Sequence, residues 1–464
     1  MNSILKNKSI KNKKVAVIGA GKSGLSACKL LKKLEAIVFL SEKNSINNIE
    51  ELEKYSDNFE IGIHSEKILN NELILISPGI SKNNDIFKEA KNKNIPIISE
   101  LEFSSWYTNL PIIAITGSNG KTTTTKILEN IFRETDLNIF VSGNIGIPFS
   151  EIILDNIEKN IKNGLHIIEV SSFQLEDIHH FKPDIAIVLN ITEDHLDRYF
   201  TMKNYIDAKM KIAKNMKQND KLVFNSEDDL IKKNIKTKAE LIGFSINDKL
   251  DEFFFMKKNK IFNSKEKELI SLDKINLLGN HNIQNIIAAA TVAKIYKLSD
   301  KNICSGIQKT SPVEYRLQKI NEINQISFFN DSKSTNVDSI LVAIKSFKEN
   351  LILILGGRDK GGDFKKIIPL LANRVRYIII FGESRNIIKD QLTDFNQIYI
   401  TESMHDAINF SYNNAKPGDS ILLSPGCTSY DMYDNFEHRG KDFNLEVNKL
   451  ISIKNKKKIG LDAY

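Results

Sequence analysis

The chain has 464 residues, of which 41% are hydrophobic and 27% charged, a composition typical of globular proteins rather than of disordered chains. At about 150 residues per domain, this length predicts roughly three domains. The formal net charge of +7 is spread along a Lys- and Asn-rich chain. Its densest basic cluster, residues 454 and 456–458, is not interleaved with aromatic residues, so we expect a solvated tail there and no nucleic-acid partner.

Short apolar runs and scattered cysteines predict a cytoplasmic protein without a membrane span. The longest apolar runs, such as Leu351–Leu355, fall far short of the roughly 20 residues that a spanning helix needs. The stretch Val15–Ala20 is too short for a signal peptide and runs into a glycine turn. Because Cys28, Cys304 and Cys427 stand far apart, we predict neither a disulfide framework nor a zinc site.

Predicted strands and helices alternate along the chain, as in α/β domains whose parallel sheets are covered by helices on both faces. The predicted strands of the first stretch are Val15–Gly19, Ile37–Leu40, Leu73–Ser77 and Ile95–Ser99. Those of the second are Ile112–Thr116, Leu165–Val170 and Ile185–Leu189, followed by a helix at about Met202–Lys217. Those of the third are Ile326–Asn330, Leu351–Leu355, Tyr377–Phe381 and Ser420–Ser424. Proline turns near residues 111 and 312 divide the chain into predicted domains 1–108, 109–312 and 313–464.

A glycine-rich turn, Gly19-Ala20-Gly21-Lys22-Ser23-Gly24, lies between the first strand and the next helix, and Glu42 ends the following strand. Taken alone, this pattern is a dinucleotide-binding fingerprint. The turn could equally hold the diphosphate of another nucleotide, because a second nucleotide-binding motif follows downstream. NAD and another diphosphate nucleotide therefore both remain open at this point.

That second motif, Gly117-Ser118-Asn119-Gly120-Lys121-Thr122-Thr123, follows the strand Ile112–Thr116 and starts a helix. Its glycines allow a tight turn whose successive N–H groups can surround phosphate oxygens. Lys121 would supply positive charge to the outer phosphates, and the Thr122 hydroxyl would reach a magnesium ion. The loop is a shortened variant of the common phosphate loop, and a plain glycine turn before a helix is the competing interpretation.

Two candidate site residues, Glu169 and His195, lie at or after the ends of predicted strands. Glu169 lies at the end of an apolar strand, where open parallel sheets bind ligands, so its carboxylate suits magnesium. His195 follows the next strand in a polar loop, where an ordinary surface histidine is the alternative.

Lys209 is a third candidate because it occupies a core position on a predicted helix. The other residues on its helical face are apolar: Met202, Ile206, Ala213 and Met216. The lysine could extend to solvent along its aliphatic stem. If it is buried instead, desolvation favours a neutral amine that can take up carbon dioxide, and the resulting carbamate offers two oxygens to a hard cation.

Two polar turns in the third stretch also follow predicted strands, namely residues 330–336 and residues 356–362 with Lys360. Each turn suits anion binding, and each could equally be a polar turn with a helix cap. Their repetition at the ends of parallel strands favours a common cleft.

Taken together, these segments resemble the Mur ligases along nearly the whole chain. The resemblance is carried by residues 116–122, 169–175, 279–282 with Asn285, 331–336, 423–427, 435–437 and Arg439-Gly440. It implies three α/β domains: an N-terminal Rossmann-like parallel sheet, a central P-loop-type ATPase domain and a C-terminal Rossmann-like domain. Among these ligases, the motifs are most similar to those of members that add D-glutamate.

The resemblance implies a monomeric ATP-dependent ligase that adds D-glutamate to UDP-N-acetylmuramoyl-L-alanine through an acyl phosphate, in peptidoglycan precursor synthesis. It implies ATP, two Mg²⁺ ions and a carbamylated Lys209. The implied catalytic and metal-binding residues are Lys121, Thr122, Glu169, His195 and Lys209. The implied ATP contacts are Gly117, Ser118, Asn119, Gly120, Lys121, Thr122, Thr123, Asn282, Arg316 and Asp331. Those to the UDP substrate are Gly21, Lys22, Ser23, Ser77, Gly79 and Asn144, and those to D-glutamate are Lys333, Thr335, Lys360, Ser429 and Phe436.

Two positions depart from the family pattern. Tyr315 stands where the family more often has histidine, so no role is assigned to it, and Gly426 stands where a small Ala is frequent. Other ligases of the same superfamily remain alternatives, including the alanine-adding and folate polyglutamate enzymes. A nucleotide-gated, NAD-binding protein is the alternative from another class.

Overall fold

A computed structural model of the chain describes residues 3–45, 49–80, 85–247, 253–277 and 279–461, the last eight of them by their backbone alone. The basic cluster at 454–458, predicted to be a solvated tail, therefore lies outside the described side chains. The described residues form two compact units. The first comprises Met1–Ile191, Lys203–Ile275 and Asn282–Thr310, and the second comprises Thr192–Met202, Asn276–His281 and Ser311–Tyr464.

The first unit begins with a five-stranded parallel sheet in the order β3-β2-β1-β4-β5. Its strands are β1 (Lys14–Ile18), β2 (Ile37–Glu42), β3 (Asn58–Ile61), β4 (Leu73–Ile76) and β5 (Ile97–Ser99). The accompanying helices are α1 (Ser3–Asn7), α2 (Lys22–Lys33), α3 (Ile49–Tyr55), α4 (Asp85–Asn92) and α5 (Glu100–Ser105), with a 3₁₀ turn at Glu66–Asn70. All of β4 is buried, as expected for a parallel strand covered on both faces.

The second sheet, also parallel, has the order β11-β10-β9-β6-β8-β7. Its strands are β6 (Ile112–Thr116), β7 (Ile139–Gly143), β8 (Leu165–Glu169), β9 (Ile185–Val188), β10 (Lys221–Asn225) and β11 (Glu240–Phe244). A small antiparallel sheet follows, made of β12 (Phe254–Lys257), β13 (Lys260–Asn263) and β14 (Glu268–Ser271).

The helices along this stretch are α6 (Lys121–Phe132), α7 (Phe149–Glu158), α8 (Ser172–Leu175), α9 (Leu196–Tyr199), α10 (Met202–Met210), α11 (Asp229–Asn234), α12 (Asn280–Ile295) and α13 (Asp300–Lys309). The 3₁₀ turns are Lys211–Ala213 and Leu272–Lys274. Although α9 lies between two elements of the first unit in sequence, it packs with the second unit.

The sheet of the second unit has the order β15-β16-β20-β17-β18-β19 and is parallel except for the edge strand β15. Its strands are β15 (Gln318–Ile323), β16 (Ile326–Asn330), β17 (Leu351–Gly356), β18 (Val375–Phe381), β19 (Ile398–Ile400) and β20 (Ser420–Gly426). The helices are α14 (Val337–Lys345), α15 (Ile368–Leu371), α16 (Arg385–Gln391), α17 (Met404–Asn414) and α18 (Phe436–Leu461), with a 3₁₀ turn at Phe364–Ile367. Alternate residues of β17 pack into separate apolar clusters on the two faces.

The predicted fold class, α/β with three parallel-type sheets, is confirmed. One predicted helix was too long. The sequence predicted a helix from about Met202 to Lys217, but the α-helix ends at Met210. A 3₁₀ turn follows, in which the N–H of Lys214 donates to the carbonyl of Lys211. The predicted end was wrong because Ala213 and Met216, which continue the apolar pattern of the helix in the sequence, are buried although they lie beyond the helix end. No helix within the described ranges is long and apolar enough to cross a membrane.

Candidate functional site

The phosphate loop connects β6 to α6 in the first unit. Gly120 precedes the helix with φ = 89°, a left-handed conformation that favours glycine, and an added Cβ would collide with the Asn285 side chain of α12. No side chain caps the start of α6. The first-turn N–H groups and the positive end of the helix dipole therefore suit an anionic phosphate.

Lys121, the first residue of α6, folds back over this loop. Its Nζ atom donates to the carbonyl oxygens of Gly117 and Ser118, at 2.7 and 2.9 Å. The ammonium charge is thereby held at the loop, where the sequence predicted that it would meet the outer phosphates.

Asn190, two residues after β9, braces the loop from the neighbouring strand. Its carbonyl accepts from the Ser118 N–H at 2.9 Å, and its side-chain oxygen accepts from the Asn119 N–H at 2.8 Å. Its amide nitrogen returns a 3.0 Å hydrogen bond to the Asn119 carbonyl. In this conformation these two N–H groups bind Asn190, which leaves the helix start as the part of the loop suited to an anion. No role for Asn190 was predicted from the sequence.

Lys209 is buried beneath the loop, with a residue exposure of 2%. Its Nζ atom donates to the Gly117 carbonyl at 2.8 Å and lies 4.7 Å from the centre of the Tyr205 ring. The Tyr205 hydroxyl lies 3.0 Å from the Ser118 hydroxyl. The structure therefore favours the buried alternative for Lys209 over a side chain extended to solvent. It also adds Tyr205, which the i, i+4 spacing to Lys209 could have indicated.

Glu169 ends β8, beside the strand that leads into the loop, and is 3% exposed. The Asn144 side chain donates to Glu169 Oε1 at 3.2 Å, and the Asn144 N–H donates to the Glu169 carbonyl at 2.8 Å. The structure therefore brings together a predicted metal ligand and a residue predicted to contact the UDP substrate.

Oxygen ligands at the loop fit a magnesium ion only in part. Within the described portions of the chain, no three His, Cys, Asp or Glu side chains cluster closely enough to hold a metal. The Glu169 carboxylate and the Thr122 hydroxyl nevertheless belong to the ligand type that Mg²⁺ prefers, and Mg²⁺ commonly binds one or two carboxylates together with substrate phosphates. These residues therefore fit an ion shared with a bound triphosphate rather than an all-protein cage.

His195 belongs to the second unit, on the segment Thr192–Met202. It precedes α9 with φ = 55°, and its Nε2 atom lies 3.6 Å from Asp194 Oδ2. The implied catalytic set is thus divided: Lys121, Glu169 and Lys209 lie in the first unit, and His195 lies in the second.

A partly open cavity in the second unit is lined by residues 193–196, the start of α14 and the turn at 359–363. Lys360 and Asp194 form an ion pair in this cavity, and both side chains are at most one-tenth exposed. The Asn336 side chain donates to Asp194 Oδ2 at 3.1 Å. Burial alone would raise the pKa of Asp194, but the charges of Lys360 and His195 outweigh burial and hold the pKa well below its usual value.

The other residues implied to bind D-glutamate lie on neighbouring loops of the same unit. Thr335 lines the cavity with Lys360. Lys333 Nζ lies 5.3 Å from the centre of the Phe436 ring, so these two predicted residues are brought together. Ser429 is 2% exposed, and its carbonyl accepts from the N–H groups of a following turn.

Arg316 and Asp331, two implied ATP contacts, also meet in the second unit, with Arg316 Nη1 3.6 Å from Asp331 Oδ1. Asp331 is buried and accepts from the Leu317 N–H at 3.1 Å and the Ser424 hydroxyl at 2.9 Å. Burial raises the pKa of Asp331 although Arg316 opposes the shift. Burial and the charge of Arg316 also lower the pKa of His281 to about 4.

Asn282, the third implied ATP contact outside the loop, belongs to the first unit. Its side-chain oxygen accepts from Asn285 at 3.3 Å. Since Asn285 packs on Gly120, this pair connects α12 to the phosphate loop.

The glycine turn of the first sheet is held by Glu42. One oxygen of Glu42 accepts from the Ala20 N–H at 2.7 Å and the other from the Asn44 N–H at 2.8 Å. The Ser77 hydroxyl donates to the Gly19 carbonyl at 3.2 Å. Both oxygens of the carboxylate that a dinucleotide fingerprint would direct at a ribose therefore accept backbone N–H groups, one from the glycine turn and one from Asn44. The implied UDP contacts Gly21, Lys22 and Ser23 lie at the uncapped start of α2, and Gly79, which follows Ser77 and Pro78 in the chain, is exposed.

Family models match three successive parts of the chain: the MurD-like N-terminal domain at residues 13–99, the Mur ligase middle domain at 115–293, and the glutamate ligase domain at 315–427. Together with the full-length relatives described next, these matches show that the chain belongs to the Mur ligase family, a family of ATP-dependent ligases.

Three similar proteins are each named UDP-N-acetylmuramoylalanine--D-glutamate ligase. That of Thermoanaerobacter sp. (strain X514) is 36% identical over 95% of this chain and 99% of its own length. That of Clostridioides difficile (strain 630) is 36% identical with the same coverage. That of Elusimicrobium minutum (strain Pei191) is 38% identical over 95% of this chain and 98% of its own.

Solved structures support the fold. UDP-N-acetylmuramate-alanine ligase MurC from Thermotoga maritima matches with a TM-score of 0.59 at 18% identity, over 95% of this chain and 99% of that chain. A bifunctional folylpolyglutamate synthase/dihydrofolate synthase from Yersinia pestis CO92 matches with a TM-score of 0.52 at 17% identity. This match covers 68% of this chain and 86% of that chain. At these identities the likeness shows a shared fold alone.

Proposed function

We propose that this chain joins D-glutamate to UDP-N-acetylmuramoyl-L-alanine at the expense of ATP, in the synthesis of a peptidoglycan precursor. The observation that carries the proposal is identity of 36% or more along 95% of the chain to proteins named for that ligation. In this proposal residues 1–108 bind the UDP substrate, residues 109–312 bind ATP and residues 313–464 bind the amino acid.

The proposed reaction has two steps. The carboxylate of the UDP substrate first attacks the γ-phosphate of ATP, which gives an acyl phosphate and ADP. The neutral amine of D-glutamate then attacks the acyl carbon, and phosphate leaves. The first step brings two anions together, so positive charge at the phosphates lowers its barrier. Lys121 supplies such a charge at the loop, and Arg316, held by Asp331, is a further proposed ATP contact with Asn282.

Two magnesium ions are part of the proposed function, with Thr122, Glu169, His195 and carbamylated Lys209 as their proposed protein ligands. Magnesium would offset the negative charge of the phosphates during transfer. Burial of Lys209 supports a carbamate at this position, because the enclosed amine lies beside the phosphate loop. A carbamate nitrogen keeps one hydrogen, so the bond to the Gly117 carbonyl can persist after modification.

The cavity in the second unit supports an amino acid as the second substrate. An amino acid carries both charges, and this cavity offers a lysine and a carboxylate side by side in Lys360 and Asp194. We propose that Lys360, Thr335 and Lys333 receive the carboxylates of D-glutamate, with Ser429 and Phe436 completing the pocket. Because the pKa of Asp194 is depressed, its carboxylate would stay charged and would bind the ammonium form of the incoming amino acid, which must lose a proton to solvent before it attacks.

Glu42 supports UDP rather than NAD in the first sheet, because each of its two oxygens already accepts a backbone N–H group of the protein. Gly21, Lys22, Ser23, Ser77 and Gly79 remain the proposed contacts to the diphosphate nucleotide, with Asn144 toward the sugar. Since ATP and UDP-linked sugars are metabolites of the cytoplasm, a cytoplasmic location is part of the proposal, as is a monomeric state.

The direct test is ADP release by the purified full-length protein. We expect release only when UDP-N-acetylmuramoyl-L-alanine, D-glutamate and ATP are all present. UDP-N-acetylmuramate with L-alanine, and a folate with L-glutamate, test the two related ligase activities. Release that does not depend on D-glutamate would contradict the proposal.

A further inference from the structure

The buried guanidinium of Arg439 donates five hydrogen bonds to neighbouring loops. Among the described residues it is the largest fully buried side chain, with 0% exposure. Nε donates to the Ser332 hydroxyl at 3.0 Å, and Nη2 donates to the carbonyls of Ser332 and Cys427 at 2.8 and 3.1 Å. Nη1 donates to the carbonyls of Thr428 and Gly356 at 3.2 and 3.4 Å. These acceptors are neutral, and burial lowers the pKa of Arg439 to about 10.

The acceptors of Arg439 lie at the carboxyl ends of three adjacent strands. Ser332 follows β16, Gly356 is the last residue of β17, and Cys427 and Thr428 follow β20. In the sheet β20 lies between β16 and β17, so the guanidinium spans three neighbouring strand ends. The backbone at Gly357 packs tightly against these contacts. A Cβ at this position, where φ is 130°, would collide with the Thr428 carbonyl and lie 3.0 Å from Arg439 Nη1.

Each of these strand ends continues directly into residues of the proposed amino-acid pocket. Lys333 follows Ser332, Ser429 follows Thr428, and the turn that begins after Gly356 leads to Lys360. Phe436 lies one helical turn before Arg439 on α18, and its carbonyl accepts from the Ser332 hydroxyl at 2.8 Å. The residues on either side of the guanidinium contacts are thus those implied to bind D-glutamate.

We propose that Arg439 is a positioning residue that fixes the three strand-end loops carrying Lys333, Lys360 and Ser429. The identity of the amino acid rests on the proposed function, whereas the positioning role does not. A planar guanidinium offers five N–H groups in a rigid fork, whereas a lysine amine offers three and a single charge centre. An arginine is therefore required to hold all three loops at once, and Lys at this position would release at least one of them.

The test compares Arg439→Lys with Arg376→Lys in the full-length protein. Arg376 lies in β18 of the same sheet, near the amino end of the strand, and donates to Asp419 at 2.9 Å, so it controls for loss of a partly buried arginine. For Arg439→Lys we expect the KM for D-glutamate to rise at least tenfold. The KM values for ATP and the UDP substrate should change less than twofold, and Arg376→Lys should leave all three unchanged.

A change in all three KM values, or a D-glutamate KM within twofold of the wild-type value, would overturn the positioning role. If Arg439→Lys fails to fold, Ser332→Ala provides the same test, because it removes the one hydroxyl that both accepts from Arg439 Nε and donates to the Phe436 carbonyl. We expect that variant to raise the D-glutamate KM about threefold, and an unchanged KM would overturn the proposal. If the wild-type protein uses another amino acid, the D-glutamate assignment fails and the same KM comparison applies to that amino acid.

Discussion

The Nζ atom of buried Lys209 lies 2.8 Å from the carbonyl oxygen of Gly117, the same oxygen that accepts from Lys121 at 2.7 Å. Two lysines therefore converge on one carbonyl of the phosphate loop, one from below and one from the start of α6. This relationship places a buried amine next to the position proposed for the phosphates, where a carbamate would be useful for holding a cation.

Replacement of Lys209 should abolish ligase activity. We expect Lys209→Ala to lower kcat by roughly 100-fold or more, the scale of losing a charge-stabilising group at a reacting centre. Bicarbonate should not restore activity, whereas a small organic acid such as formate should restore part of it by supplying the missing carboxylate oxygens. ADP-release assays measure both effects. Lys214→Ala, which removes an exposed lysine nearby, is the control, and retention of activity in Lys209→Ala would exclude the carbamate.

Replacement of Lys360 should weaken binding of the amino acid more than binding of the nucleotides. Charge-assisted hydrogen bonds contribute about 1.5–3 kcal/mol, so Lys360→Gln should raise the KM for D-glutamate by roughly 10- to 150-fold. The variant also leaves Asp194 buried without its cation, which costs about 3–5 kcal/mol of folding stability.

The double variant Asp194→Asn/Lys360→Gln should recover much of that stability without recovering amino-acid binding. Urea unfolding and steady-state kinetics provide the two measurements, with Lys365→Gln at an exposed site as the control. A single variant as stable as the wild type would show that the buried ion pair does not form.

His166 should make the folding stability of the protein sensitive to acid. Burial lowers the pKa of His166 to about 4, and its Nε2 lies 3.0 Å from the Thr108 hydroxyl. In the unfolded chain the imidazole of His166 has a pKa of about 6.5. As the pH falls, the unfolded state therefore takes up a proton at this side chain before the folded state does. Stability from the neutral imidazole is therefore complete above about pH 6.5 and decreases toward pH 4, by about 3 kcal/mol at 1.36 kcal/mol per unit.

The stability difference between pH 7 and pH 4.5, measured by urea unfolding, should become smaller in His166→Phe than in the wild type. An equal pH dependence in the wild type and His166→Phe would show that His166 does not titrate on unfolding.

The first sheet should respond to UDP and not to NAD. Ligand that binds only the folded state raises the melting temperature by mass action, so saturating UDP should produce a measurable shift and NAD none. Differential scanning fluorimetry of the full-length protein tests this directly. A shift with NAD alone would restore the dinucleotide interpretation of the glycine turn.

The sequence predicted those strands that are buried on both faces, because they appear as continuous apolar runs. Ile112–Thr116, which is buried throughout, was predicted with the bounds that the structure has, and so was Ile326–Asn330, in which buried and partly buried residues alternate. The edge strand Gln318–Ile323 was not predicted, since polar residues dominate it and its antiparallel pairing depends on a hairpin turn. The antiparallel strands between residues 254 and 271 were missed because they are short and mixed in polarity.

Site residues that act through local spacing were predictable, and those that act through distant partners were not. The burial of Lys209 was one of two outcomes drawn from its helical face. Asn190 lies 71 residues from Asn119, and Arg439 lies 107 residues from Ser332, so no local pattern indicates these hydrogen bonds. Asp194 and Lys360 are separated by 166 residues, and only the folded unit reveals that they form a pair.

The proposed ligase activity is tested by the mass of the product formed from UDP-N-acetylmuramoyl-L-alanine, D-glutamate and ATP, measured by liquid chromatography and mass spectrometry. Formation of a species heavier than the UDP substrate by one glutamyl residue, in equal amount to the ADP released, is the predicted result. ADP formed without that species, or the same species formed without ATP, would contradict the proposed ligase activity.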